Sequence, residues 1–338
     1  MTASSGARIL VTGGAGFIGS HYVRTLLSGG YPGWQDAQVT VYDKLTYAGT
    51  LTSLDPVAGR FRFVQGDLVD GRLLAEVLPG HDVVVNFAAE THVDRSIASG
   101  LPFVVTNVLG TQTLLDECLR AGVRTVVHVG TDEVYGSVEA GASVETDPLD
   151  PRSPYSASKA GADLLARAHA VTHGLDVRIT RCTNNYGPYQ FPEKVVPLFV
   201  TNLLDGLTVP LYGDGQHVRD WLHVDDHCRG IQLVLERGSP GEVYNVGGGT
   251  ELTNRQLTER LLALTGRDAS AVRHVPDRPG HDRRYCLDGS KLAALGYAPR
   301  VPFESGLADV VEWYRRRREW WEPLKRRAGL PAAPEAAT

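Results

Sequence analysis

Cysteine is scarce in this chain: Cys118, Cys182, Cys228 and Cys286 are the only four, and no two form a Cys-x-x-Cys pair. That argues against a cysteine zinc site and a disulfide framework, and it suits reduced thiols packed in a core. Also missing is any apolar run near the roughly 20 residues needed to cross a bilayer, so no membrane partner is expected. The opening Met-Thr-Ala-Ser-Ser-Gly-Ala is short and polar, unlike an export signal, so the expected setting is cytoplasmic. Basic excess is absent too: 34 Lys and Arg against 39 Asp and Glu give a net charge of −5, with no general attraction for nucleic acid. The local exception is Arg315 to Arg318 with Lys325, Arg326 and Arg327, near a predicted helix end where the macrodipole favours cations. No internal repeat is present.

What the chain does have is an alternation of strand-like and helix-like segments. Arg8–Thr12, Gln38–Tyr42, Phe61–Val64, Asp82–Asn86 and Thr125–Val129 are rich in β-branched residues, as strands covered on both faces require. Amphipathic stretches such as 102–121 lie between them, and a further helix over 155–173 leads into Val177–Thr180. The pattern predicts an α/β fold, a doubly wound parallel sheet of Rossmann type with a smaller C-terminal substrate-binding lobe. Residues 8–183 are expected to form the dinucleotide-binding domain and 184–328 the lobe, some of whose elements are free to return to the sheet. The Ala/Pro-rich tail, 329–338, is expected to be disordered.

Val11-Thr-Gly13-Gly-Ala-Gly16-Phe17-Ile18-Gly19 follows the first strand and opens a helix. Glycines there permit a tight turn and let backbone N–H groups face a pyrophosphate. Asp43 ends the second strand, where a carboxylate accepts from ribose hydroxyls and repels a 2′-phosphate, so NAD is favoured over NADP; Lys44 beside it is a mild counter-signal. Asp67 follows the third strand and is a candidate for the adenine amino group. Phe87-Ala88-Ala89-Glu90-Thr91 follows the fourth, with small residues that let a cofactor approach the backbone.

Tyr155 and Lys159 are i and i+4, about 6 Å apart along one helix face. An ammonium there can lower the phenol's pKa, giving a base for an alcohol proton as hydride leaves. Thr131-Asp132-Glu133 stands just beyond the fifth strand. If both carboxyls face the crevice, mutual repulsion separates their pKa values into one acid and one base, a division suited to eliminating water. Among the histidines only His169/His173 and His223/His227 have i, i+4 spacing, and neither pair has a convincing third ligand, so no metal is expected.

Together these segments resemble the dTDP-glucose 4,6-dehydratases of the extended short-chain dehydrogenase/reductase superfamily. The resemblance spans about residues 8 to 325 and rests on the glycine turn, Asp43-Lys-Leu-Thr-Tyr47, Ala88-Ala-Glu-Thr-His-Val-Asp-Arg-Ser96, Thr131-Asp-Glu-Val-Tyr-Gly136, Tyr155-Ser-Ala-Ser-Lys159, Arg181-Cys-Thr-Asn-Asn-Tyr-Gly-Pro-Tyr-Gln190 and Arg278-Pro-Gly-His-Asp282. Thr91 departs from the serine of the family, although both carry a hydroxyl.

The resemblance implies an NAD-dependent lyase acting on dTDP-glucose. Tyr155 would serve the oxidation of carbon 4, Glu133 would take the carbon 5 proton and Asp132 would protonate the departing carbon 6 hydroxyl, with hydride then returned to carbon 6. Thr131 would hydrogen-bond the carbon 4 oxygen. Leu45, Thr46, Leu68, Thr106 and Asn185 join the implied cofactor contacts. Thr91, Asn184, Glu193, Lys194, Pro210, Leu211, Tyr212, Arg219, Asn254, Arg278, Pro279, Gly280, His281 and Asp282 are the implied substrate contacts. A homodimer built on helices 102–121 and 155–173 is also implied; the extra apolar residues of those helices serve either that contact or the core. The rivals are a nucleotide-sugar 4-epimerase or decarboxylase, against which the two adjacent acids speak, and a non-catalytic NAD-binding protein, which would need neither Tyr155 nor Lys159.

Overall fold

The computed structural model describes residues 6–332. The β-branched runs form β1 (Arg8–Thr12), β2 (Gln38–Asp43), β3 (Arg62–Gln65), β4 (Val83–Asn86), β5 (Thr125–Thr131) and β6 (Val177–Cys182). All pair in parallel. Successive side chains point to opposite faces, so Ile9 and Val11 enter one core layer while Leu10 and Val84 enter the other. That two-sided burial is why these strands read as unbroken apolar runs instead of alternating ones.

Helices cover both faces. α1 (Phe17–Leu27) follows β1 and α2 (Gly71–Val77) follows β3. After β4 come α3 (Val93–Ala98), the short α4 (Leu101–Phe103) and α5 (Gly110–Ala121). The single helix expected over 102–121 is interrupted: Val104–Leu109 widens into π-helical turns. Within them Asn107 is buried, exchanging hydrogen bonds with the Glu90 backbone N–H (2.8 Å) and carbonyl (3.0 Å) and donating to the Ser158 hydroxyl (2.8 Å). α6 (Pro154–His173) has a full set of helix signals. Ser153 and Ser156 form a reciprocal capping box, Pro154 takes the first turn, and Gly174 closes the end at φ +67°.

The second half of the chain is less regular. β7 (Asn184–Tyr186), β9 (Val218–His223) and β11 (Glu251–Thr253) form a three-stranded sheet, and β8 (Val209–Tyr212) pairs with β12 (Val272–Val275). Around them α7 (Val195–Leu204), α9 (Asn254–Thr265), α11 (Phe303–Arg316) and α12 (Arg318–Arg327) enclose Phe199, Leu257, Leu307 and Trp321. Two segments leave this lobe. α8 (Val224–Arg237) packs beside α1, adding Cys228, Ile231 and Leu235 to the first core layer, and β10 (Val243–Val246), flanked by α10 (Ser290–Ala293), pairs in parallel with β6. The principal sheet therefore has seven strands in the order β10-β6-β5-β4-β1-β2-β3, with part of residues 184–328 inside it.

The basic cluster near the C-terminus is matched by acids. Arg315 and Arg316 pair with Glu312, Arg326 pairs with Glu322, and Arg318 and Lys325 both reach Asp205 at the end of α7. Lys325 is fully buried there. Of the tail expected to be disordered, residues 333–338 lie outside the described residues; before them the Leu330 N–H donates to the Lys325 carbonyl at 3.1 Å. No helix among the described residues is long and apolar enough to cross a membrane.

Trp321 is fully buried, its indole N–H donating to the Tyr314 carbonyl at 2.7 Å. Trp321→Ala is expected to cost about 3–5 kcal/mol in denaturant or thermal unfolding, because it leaves a cavity and an unmet acceptor.

Candidate active site

A cavity of about 740 Å³ opens at the carboxyl ends of β1, β4, β5 and β6, with the lobe on its far side. It lies where strand order reverses between β1 and β4, the position at which doubly wound sheets bind ligands. The glycine turn shapes one wall. Gly13 has φ +66°, and a Cβ there would sit 2.6 Å from the Ala88 nitrogen, so only glycine lets the turn pass so close to the end of β4. Gly16 caps α1 without a side chain, and Gly16, Phe17, Ile18 and Gly19 line the cavity, presenting the helix N-terminus to it.

Asp43 lines the same wall, fixed by N–H groups of Ala15 (2.9 Å) and Leu45 (2.8 Å). Leu45, in left-handed backbone at φ 56°, is not among the lining residues, and its N–H orients Asp43. Lys44 pairs with Asp67 at 2.5 Å. The cation that could have met a 2′-phosphate is thus neutralised, and the carboxylate assigned to adenine is engaged from its side. Thr46, Leu68, Phe87, Ala88, Ala89, Thr91 and Thr106 all line the cavity. An open helix N-terminus, an oriented carboxylate and small residues at a strand end fit a dinucleotide with unmodified ribose hydroxyls. Asn185 also lines it. Its side-chain oxygen faces His227 Nδ1 at 3.0 Å and its amide donates to the Thr183 carbonyl at 2.9 Å, while burial pulls His227 down to about 3 and so keeps it neutral.

The acid pair sits at the cavity's centre. β5 runs two residues further than the β-branched pattern indicates, because pairing with β6 continues to Thr131 opposite Cys182. Thr131 therefore ends the strand instead of following it, and its hydroxyl accepts the Glu133 N–H at 3.3 Å, starting a 3₁₀ turn over Asp132–Tyr135. Asp132 is 3% exposed, and its Oδ2 is enclosed without a hydrogen-bond partner in the protein. Burial pushes its carboxyl well above the usual range, with the Glu133 charge second. Burial also raises Glu133, but Arg278, Arg219 and Lys194 draw it back. The pair is divided mainly by desolvation and by cations on one side, more than by the mutual repulsion expected from adjacency. Asp132 is thus driven further toward its neutral form than Glu133.

Tyr155 and Lys159 face this pair from α6. The phenol is pushed well up by burial and then by Glu133, with a hydrogen bond to Thr131 opposing. Lys159 donates to the Val129 carbonyl at 2.7 Å, and the groups that move the phenol most do not include it. The lowering of Tyr155 by Lys159 read from their spacing is thus not a leading effect.

Across the cavity stand the cations. Arg219 is buried, donating to carbonyls of Val218 and Asp282 and lying 4.2 Å over the Tyr285 ring, while Arg278 Nε is enclosed without a partner. Lys194 donates to the Thr91 carbonyl at 2.7 Å. Asn184, Pro210, Leu211, Tyr212, Asn254 and His281 complete the predicted lining. Glu193 lines it too but is held by Tyr47 (2.8 Å), with Arg95 at 3.5 Å. Pro279, Gly280 and Asp282 are not brought to the lining; Asp282 supports it from behind, accepting from the Tyr285 hydroxyl at 2.7 Å. His92, Asp94, Arg95 and Tyr285 line the cavity without having been singled out. For the first three the signal was present, since they follow the carboxyl end of β4 on a short helix. His217, Asp277 and His281, distant in sequence, also meet: each imidazole contacts one oxygen of Asp277, and the rings stack at 3.7 Å and 12°. Stacked rings direct their lone pairs in parallel planes, an arrangement poorly suited to one shared ion.

Comparison with known proteins agrees with this geometry. A family model described as GDP-mannose 4,6 dehydratase matches residues 10–310. The chain is 62% identical to a dTDP-glucose 4,6-dehydratase of Streptomyces antibioticus, over 96% of this chain and 98% of that one. It is 59% identical to one from Streptomyces niveus, over 94% and 96%. A crystal structure of the dTDP-glucose 4,6-dehydratase DesIV from Streptomyces venezuelae, with NAD and TYD bound, superposes with a TM-score of 0.93 at 63% identity, covering 94% of this chain and all of that one.

Asp132 holds its proton above the ordinary value of 3.8, so its raised affinity opposes folding as pH climbs from that value toward the folded-state pKa. Asp132→Asn is expected to raise the thermal midpoint at neutral pH, with the gain shrinking as pH falls toward 3.8. Melting curves across that range check the sign.

Proposed function

Because this chain belongs to the dTDP-glucose 4,6-dehydratases within the GDP-mannose 4,6-dehydratase family, we propose that its cavity converts dTDP-glucose to dTDP-4-keto-6-deoxyglucose. The observation that carries the reading is the divided pair, a buried Asp132 whose carboxyl burial pushes toward its neutral form beside a cation-facing Glu133, which simple alcohol oxidation does not need.

NAD bound along the glycine turn, Asp43 and the end of β4 supplies the hydride acceptor at carbon 4 and the donor at carbon 6. Tyr155, in its phenolate form, takes the carbon 4 hydroxyl proton, and Thr131 donates to the same oxygen as it becomes a carbonyl. Lys159, seated on the Val129 carbonyl, provides positive charge beneath the phenol. The ketone acidifies carbon 5, whose proton passes to Glu133 while Asp132 protonates the carbon 6 hydroxyl and water departs. Glu133 then returns its proton to carbon 5. Arg219 and Arg278 are assigned to the diphosphate, for which guanidinium forks are suited, and the lobe around Tyr212 and Asn254 to the nucleoside.

The proposal extends to a homodimer. Leu101, Val104 and Leu109 on the segment before α5, and Leu164 and Val171 on α6, are large apolar side chains exposed on neighbouring helices. A cytoplasmic setting is included, in keeping with four unpaired thiols.

Incubation with dTDP-glucose is expected to yield a product with alkali-induced ultraviolet absorbance; its absence under several conditions rejects the reading. Tyr155→Phe and Glu133→Gln should each slow turnover by roughly 10²–10⁴-fold. They differ in what accumulates: borohydride trapping should find the 4-keto hexose in the Glu133 variant only. Deuterium placed at carbon 4 should appear at carbon 6 of the product. Leu101→Glu with Leu164→Lys should give a monomer by light scattering.

A further inference from the structure

Behind the reacting face of α6, a line of buried polar groups crosses the sheet. The Thr12 hydroxyl donates to Asn86 Oδ1 at 2.6 Å, which fixes the amide so that its Nδ2 donates to His128 Nδ1 at 3.1 Å. His128 must then carry its proton on Nε2, and that atom faces Asp163 Oδ1 at 3.5 Å. Arg181 Nε donates to the other Asp163 oxygen at 2.8 Å. His128 Nε2 and Asp163 Oδ1 are both enclosed and have no closer partner in the protein. Asp163 is 0% exposed and lies one helical turn beyond Lys159, at i+4 on α6.

We propose that Asp163 is a positioning residue for the carbon 4 oxidation: its enclosed carboxylate is the counter-charge that keeps the Lys159 ammonium seated on the Val129 carbonyl. The inference rests on the reading above that Tyr155 and Lys159 carry this oxidation. An ion pair serving only to fasten α6 to β6 would need Arg181 alone, yet one carboxylate oxygen is turned toward β5. That direction is accommodated by Gly130, where a Cβ would sit 2.9 Å from Asp163 Oδ1.

The groups facing Lys159 are few. Asp163 comes from its own helix, on which Tyr155 stands one turn earlier, His128 from β5 and Cys182 from β6. Burial pushes His128 well below its usual value and the Tyr155 phenol and the Cys182 thiol upward, each toward its neutral form. Asp132, which adjoins Cys182, is kept protonated by burial. Burial lowers the Lys159 amine as well, and Asp163 is the leading influence in the other direction. Burial raises the Asp163 carboxyl, while Arg181 first and Lys159 next draw it back toward the ionised form that balances the ammonium.

The test is a titration. The purified full-length protein, labelled with ¹³Cε-lysine, is followed by NMR as pH rises, with the Lys159 resonance assigned by its loss in Lys159→Met. Asp163→Asn should move the Lys159 titration to lower pH by roughly one unit or more. The alkaline limb of dTDP-glucose turnover should move with it. His128→Gln removes a neutral neighbour only and should leave both in place. If Asp163→Asn unfolds because Arg181 is stranded, the double variant Asp163→Asn/Arg181→Gln carries the same expectation. An unchanged Lys159 titration in a folded variant overturns the proposal, as does an equal shift in His128→Gln. Failure of the wild type to consume dTDP-glucose would strike at the parent reading instead, and leaves the NMR comparison intact.

Discussion

The site depends on how closely α6 lies against β5. At Gly130 a single methyl group would come within 2.7 Å of the Thr180 carbonyl and 2.9 Å of the Asp163 carboxylate. With no side chain there, the helix descends onto the strand and sets Tyr155 and Lys159 beside the acids that continue from the strand's end. The geometry of the site is thus a packing consequence: two pairs of titratable groups, from segments about 25 residues apart, meet because one position in the sheet is bare.

Local signals made much of this legible. The β-branched runs, the glycine turn and the capping serine and proline of α6 act within a few residues, so their structural meaning is carried in the sequence itself. Membership of the cavity was readable for Thr131, Asp132, Glu133, Tyr155 and Lys159 because strand ends and a helical i, i+4 spacing place them. Long-range contacts were not readable. Nothing near Lys44 announces that Asp67 will take its charge, and nothing near Asp163 announces Arg181 across the sheet. Leu45, Pro279, Gly280 and Asp282 are not among the lining residues: Leu45 turns left-handed and gives its N–H to Asp43, and the Asp282 carbonyl accepts from Arg219. The division of the acids was foreseen with the wrong leading cause, since burial is a property of the whole fold and adjacency a property of two residues.

Desolvation is the common instrument. Asp132, Glu133, Tyr155 and Lys159 are each shifted first by removal from water, toward their neutral forms. Groups held this way respond strongly to a nearby charge, because little solvent screens it. Three cations on the lobe side then draw Glu133 back down, and one enclosed carboxylate behind α6 draws Lys159 back up. The apolar layers on either face of the sheet maintain that condition, so the core contributes to proton affinity as well as to stability.

The return of the chain to the sheet at β10 has a consequence for biosynthesis. A ribosome that has released residues 8–183 has delivered six strands, yet β6 still has an open edge and α1 lacks its neighbour α8. Both arrive only after the polypeptide has travelled through much of the lobe. Cotranslational completion of the sheet therefore waits on the downstream half, leaving an emerging nascent chain with an uncovered margin that chaperones are suited to shield.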